Sequence, residues 1–207
     1  MGYKPSDFFI GSFEFFSVII PGAIGTYILW FLFKDTQLSS AFPIPAGTAA
    51  WIAFAVTSFI LGYAVQPPSH ILNRLYDYTY RRYQRRKGDP LLDFATSKAK
   101  LAIPNITKTG SVYEWTRVEV LAKDPSIKDD VEKTQGVSKL FRSLCFFVLI
   151  GVLGAFWLKQ WSIGGVLLVA AVVFFLIFCE RRWSASSLVY QRYMGITPST
   201  PPKKKAT

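Results

Sequence analysis

Four stretches nearly free of charge constrain this chain more than any other feature. The first runs from Phe8 to Phe33 with Glu14 as its single charge, and the second, from Ala46 to Val65, has none. The third runs from Leu140 or Ser143 to Leu158 and the fourth from Ser162 to Cys179. A helix rises about 1.5 Å per residue and a bilayer's hydrocarbon core is about 30 Å thick, so a run of roughly 20 apolar residues is the length that crosses it. Only Lys159, Gln160 and Trp161 separate the third run from the fourth, which makes a tight hairpin. The expected fold is all-α: an integral membrane protein with two transmembrane hairpins, four helices in all, flanking a small helical cytoplasmic domain. Its segments are residues 1–66 (first hairpin), 67–139 (basic helical domain), 140–183 (second hairpin) and 184–207 (a partly disordered tail).

Other classes fit poorly. With 16% aromatic residues the chain has too much apolar area for intrinsic disorder, and two cysteines in 207 residues make no disulfide scaffold. The first run is too long for a secretory signal and no small-residue cleavage site follows it, so it is expected to be retained.

Lysine and arginine set the orientation, because the bias toward the cytoplasmic side is carried by those residues. The loop from Lys34 to Pro45 holds one, the turn at Lys159 holds one, Gln66 to Lys139 holds fourteen and the chain after Cys179 holds six. The middle segment and both termini are therefore expected in the cytoplasm, with the protein in a bacterial inner membrane. An even number of spans agrees.

After the second run, Pro67 and Pro68 interrupt the helix and Ser69 is placed to cap a new one. From Ile71 onward Leu72, Leu75, Tyr76, Tyr80 and Tyr83 recur at helical spacing, with Arg74, Arg81, Arg82, Arg85 and Arg86 beside them until Lys87 and Gly88. Such a helix at a membrane surface attracts anionic lipid headgroups, each basic residue contributing about 1 kcal/mol. Nucleic acid or a nucleotide is the less favoured partner, since interleaved Tyr and Arg also suit stacked bases and phosphates. Further on, Leu91 to Leu101 suggests a short helix, Ser111 with Glu114 fits a capping box, and Ser126 opens a last helix with Asp129, Asp130 and Glu132 early in it. These acids read as a solvated helix start rather than a metal site. Arg181, Arg182, Tyr190, Arg192 and Tyr193 form a second basic and aromatic cluster.

Candidate sites are few. Glu14 is the one ionisable residue well inside an apolar run; it is near enough to the helix start to reach the interface or to pair with Arg142 at the base of the third span, either as a structural ion pair or as an intramembrane coupling pair. Pro21 and Gly22 mark a kink or a packing point in the first span, and Ala46 with Ala50, and Gly151 with Ala155, have the spacing that lets helices touch. Cys145 and Cys179 are expected free and packed. His70, the only histidine, has no ligand company. With no nucleophile elbow, phosphate-binding glycine loop or zinc spacing, neither an enzyme nor a cofactor or metal is expected.

The Glu-Phe-Phe and Pro-Gly of Glu14 to Gly22, and Leu61-Gly62-Tyr63 running into Leu75-Tyr76-Asp77, resemble a group of small bacterial four-helix inner-membrane proteins, over about a third of the chain. The layout is also similar to that of membrane components of anti-phage defence systems. The resemblance implies architecture and carries over no functional residue. The function expected is that of a non-enzymatic membrane sensor or anchor in bacterial defence, self-associating as a dimer or tetramer. Its basic residues, Arg74, Arg81, Arg82, Arg85, Arg86, Lys87, Arg181 and Arg182, would meet anionic lipid or an acidic cytoplasmic protein. An oligomeric pore-forming effector is the alternative.

Overall fold

The structure, a computed structural model, describes residues 12–33, 47–86, 88–103 and 109–197, without the side chains of 12–14, 84–86 and 109–110. Every regular element among the described residues is helical. In order they are α1 (Ser12–Phe33), α2 (Thr48–Ala64), α3 (Gln66–Ser69), α4 (Ile71–Tyr78), α5 (Tyr80–Arg86), α6 (Pro90–Ala102), α7 (Thr109–Lys123), a 3-10 turn (Pro125–Ile127), α8 (Lys128–Trp157) and α9 (Trp161–Ile196). Three helices, α1, α8 and α9, are long and apolar enough to cross a bilayer. There are four if α2 and its continuation, bent by 42° after Ala64, count as one.

Packing divides the chain into two compact units, Met1–Tyr80 with Lys133–Arg182, and Arg81–Glu132 with Trp183–Thr207. Helices run through the hydropathy boundaries at 66, 139 and 183. Lys139 and Arg142 interrupt the apolar pattern without interrupting α8, and Glu180, Arg181 and Arg182 do not end α9. Lys, Arg and Glu are good helix formers, so charge marks an edge of the apolar run and leaves the backbone helical.

In the first unit α1 and α2 touch backbone to backbone. A Cβ on Gly22 would overlap the Ser58 carbonyl, and one on Gly62 would overlap the Val18 carbonyl. Thr26 Oγ1 donates to the Gly22 carbonyl at 2.8 Å and lies 3.4 Å from Ser58 Oγ. Small residues let helices approach this closely where no water drives them together. Pro21 is buried inside α1, which continues through it, and Gly22 is the packing point. The closest contact thus uses Ser58 and Gly62. Of the other pair considered, Ala50 is half-buried and Ala46 lies outside the described residues. Gly25 faces the Phe147 ring of α8, and Gly151 takes Ile28 on one side and Leu167 of α9 on the other. Cys145 and Cys179 are free and buried, with Leu72, Tyr76 and Phe178.

Residues that face away from this packing are apolar. Ile52, Val56 and Ile60 on α2 and Val166, Val169 and Val172 on α9 are all exposed, which suits a hydrocarbon solvent. The turn between α8 and α9 closes with Gln160 N–H donating to the Ala155 carbonyl at 2.8 Å and Lys159 N–H to the Phe156 carbonyl at 3.0 Å. That hydrogen-bond pattern needs a left-handed residue, normally glycine, and here Lys159 holds φ at 58°. Lys159→Gly should therefore stabilise the fold by up to about 1 kcal/mol. A rise in the thermal midpoint in detergent checks it, and a fall would mean that the lysine side chain does more at the helix end than its strain costs.

The second unit is built on a different core. Leu92, Ala95 and Ala99 of α6, Val112 and Val120 of α7, Ile127 and Val131 gather around Val189, Tyr190 and Tyr193 of α9. Asp89 caps α6, its carboxylate accepting from Leu91 N–H at 3.1 Å and Leu92 N–H at 3.3 Å with Pro90 in the first turn. α7 begins at Thr109, so Ser111 sits inside it rather than at its cap. Ion pairs Glu119–Lys123 at 3.0 Å and Lys128–Glu132 at 3.9 Å lie along exposed faces and add a few tenths of a kcal/mol each.

Candidate functional site: a cationic cluster at the Gln66 end of the first unit

The segment that follows α2 stays helical despite its two prolines. Pro67 and Pro68 occupy the first turn of α3, where no intrahelical N–H is needed, and Ser69 Oγ donates to the Gln66 carbonyl at 2.8 Å instead of capping the next helix. The helix expected from Ile71 to Arg86 is broken at Thr79, whose hydroxyl bonds back to the Leu75 carbonyl at 2.7 Å. Up to that break α4 has two faces. Leu72 and Tyr76 are buried against Cys145, Phe178 and Cys179. Ile71 (62% exposed), Leu75 (46%) and Tyr78 (70%) stand on the open face together with Arg74, at the i, i+3, i+4, i+7 spacing of one helical stripe.

Beneath α4 lies a polar cluster that hydropathy does not reveal. Arg142 of α8 is only 5% exposed, and its Nη2 donates to Gln66 Oε1 at 2.8 Å. The Gln66 amide in turn donates to Ser143 Oγ at 3.2 Å. Arg142 Nε is buried with no partner, and so is Asn73 Oδ1, while Asn73 Nδ2 lies 3.3 Å from His70 Nδ1. The Arg182 guanidinium stands 5.4 Å from the centre of the Tyr76 ring, a cation–π contact of about 1 kcal/mol or more. Burial first, then the charges of Arg142 and Arg182, hold the His70 imidazole below its ordinary 6.5, so it is neutral at pH 7.

Two regularities place these groups together. Arg142 is three residues from Cys145 on α8 and Arg182 three residues from Cys179 on α9, and the two cysteines share one core on antiparallel helices. One turn beyond that core, the arginines come to the same level. The spacing was present in the sequence, whereas Gln66, Ser143 and Asn73 carried no signal.

Arg181 is exposed on α9, while Arg81 and Arg82 open α5 in the second unit, half-buried and exposed respectively. Arg85 and Arg86 lie in α5 with side chains outside the described set, and Lys87 lies outside the described residues. Glu14 lies in α1 one helical turn before Val18, the residue that meets Gly62, and its side chain is outside the described set. Asp129, Asp130 and Glu132 are exposed in the first turns of α8, and among the described residues no three of His, Cys, Asp or Glu come together.

No family model matches the chain, and neither a curated protein nor a solved structure does. The functional reading therefore stands on the residues themselves.

Proposed function

We propose that the protein is a multi-pass inner-membrane anchor or sensor, without enzymatic activity, whose basic cytoplasmic side engages an acidic partner. Anionic lipid of the inner leaflet is the first such partner, and an acidic cytoplasmic protein is the second. The observation that carries the reading is the open stripe of α4. Ile71, Leu75 and Tyr78 are too apolar for a water-facing surface, Arg74 lies among them, and Arg81 and Arg82 follow in the chain. An apolar face edged with arginine suits the boundary between headgroups and acyl chains. The apolar outer side of α2 leads into it through Tyr63, an aromatic residue of the kind that settles at that boundary. Charge agrees with this orientation: residues 66–80, 133–142 and 180–182 hold six arginines and lysines against Asp77 and Glu180.

Hydrogen exchange over residues 71–82 in nanodiscs tests the reading. Exchange should slow when phosphatidylglycerol replaces part of the phosphatidylcholine. The triple variant Arg74→Glu, Arg81→Glu, Arg82→Glu should lose that effect, because three arginines at about 1 kcal/mol each amount to roughly a hundredfold in surface attraction. Equal exchange in both lipids, or an effect that survives the triple variant, would overturn the lipid assignment.

A further inference from the structure

We propose that Arg142, Arg182 and His70, with the Ser143 hydroxyl, form a binding site for one phosphate group at the end of the helix bundle where α2 gives way to α3. Arg142 is the reason. A guanidinium does not lose its proton in a protein, and a buried one costs several kcal/mol unless it is paired and fully hydrogen-bonded. Arg142 is 5% exposed and has one neutral acceptor, Gln66 Oε1, while its buried Nε has no hydrogen-bond partner. None of the ion pairs among the described residues includes it, and the described charge that acts on it, Arg182, is of its own sign. Something negative completes the arrangement.

The neighbouring groups say what kind of anion fits. Gln66 is held from both sides, accepting from Arg142 and donating to Ser143 Oγ, so the Ser143 proton remains available to donate. Arg182 is half-buried beside the Tyr76 ring, so a second positive charge lies between the surface and Arg142, and the exposed, neutral His70 offers a ring N–H at the rim. The Arg142 guanidinium, the Ser143 hydroxyl and the His70 imidazole offer donors in several directions, with the Arg182 charge beside them, which suits the tetrahedral oxygens of a phosphate better than a flat carboxylate. Basic pockets between membrane helices on the cytoplasmic side hold lipid headgroups in this way. That the site lies at headgroup level rests on the topology proposed above, but the cluster itself does not. The source of the phosphate is either an anionic lipid or a soluble phosphate.

The test uses the full chain in a neutral detergent, with thermal midpoint and native mass spectrometry as readouts. Phosphatidylglycerol and inorganic phosphate are added separately. Phosphatidylglycerol should raise the midpoint and stay bound as a single copy; a response to inorganic phosphate alone would assign the site to a soluble ligand. Arg142→Met should weaken the response at least tenfold and, without added anion, should melt higher than the unmodified protein because it no longer buries an unpaired charge. Arg182→Met, at a half-buried position, should weaken binding with the fold intact, and Arg74→Glu should leave this site unchanged, which separates it from the α4 surface. Two results would overturn the proposal. One is an equal response to both anions in the unmodified protein and both methionine variants. The other is that Glu14→Gln lowers the midpoint in the unmodified protein but not in Arg142→Met, which would make Glu14 the counter-charge.

Discussion

Gly22→Leu should leave little folded protein in detergent, with a loss beyond the roughly 1–3 kcal/mol usual for an overpacked core. The reason is what the new side chain meets. At Gly22 the first atom, Cβ, already overlaps the Ser58 backbone carbonyl, and an atom in a helical backbone cannot turn aside as a side chain can. Even Gly22→Ala must push α1 and α2 apart, and it must disturb the Thr26 hydroxyl bonded to the Gly22 carbonyl. The expectation becomes sharper in combination. Gly22→Ala should not be rescued by Ser58→Ala, since the obstacle is main chain. Gly25→Ala should be partly rescued by Phe147→Ala, since there the obstacle is the Phe147 ring. Gly165→Leu, at an exposed glycine with open space around it, should change stability by no more than about 0.5 kcal/mol. Thermal midpoints of the set decide the matter. Rescue of Gly22→Ala by Ser58→Ala would show that the helices are not in backbone contact there.

These helices were legible from the sequence to different degrees, and the difference has a physical origin. Solvation by hydrocarbon leaves one strong signal, a long run without charge, and that signal locates α1, α8 and α9 and most of α2. It is silent on where a helix ends once it leaves the apolar run. Lys139 and Arg142, like Arg181 and Arg182, lie inside helices of 30 and 36 residues. The contact between α1 and α2 was only half visible. Gly22 was marked as a kink or packing point, but Ser58 and Gly62 had no claim over Ala46 and Ala50 until the register of the two helices was known. Arg142 was singled out for its position, and its likeness in spacing to Arg182 could have paired them. What no pattern supplied was Gln66, a polar residue between a valine and a proline, which became the acceptor for a buried guanidinium. The second core was hidden for another reason. In the sequence Tyr190 and Tyr193 group with Arg181, Arg182 and Arg192 as a second basic and aromatic cluster. In the fold they are 3% and 4% exposed at the centre of the second unit.

That core carries the other large expected effect. Tyr193→Ala should melt the second unit, because it removes the ring on which α6 and α7 meet. The Tyr193 ring is 5.5 Å from Trp115 of α7 and 6.1 Å from Phe94 of α6, and Tyr190 one turn earlier is 6.3 Å from Tyr113. Truncating a buried aromatic to alanine costs about 3–5 kcal/mol. At roughly 0.05–0.15 kcal/mol per residue, a unit of this size has a total stability of about the same magnitude. The ion pairs of α7, Glu114–Arg117 and Glu119–Lys123, are open to solvent and add little that could offset the loss. Hydrogen exchange read by mass spectrometry should show α6, α7 and the last turns of α9 losing protection together. α1 and α2 should keep theirs, since the rings Tyr193 meets belong to α6 and α7. Tyr193→Phe, which keeps the ring and loses only the hydroxyl, should keep most of the protection. If the alanine variant exchanged like the unmodified protein, the α9 segment would be an appendage of that unit and not its centre. If the phenylalanine variant melted as fully, the hydroxyl and not the ring would hold the helices together.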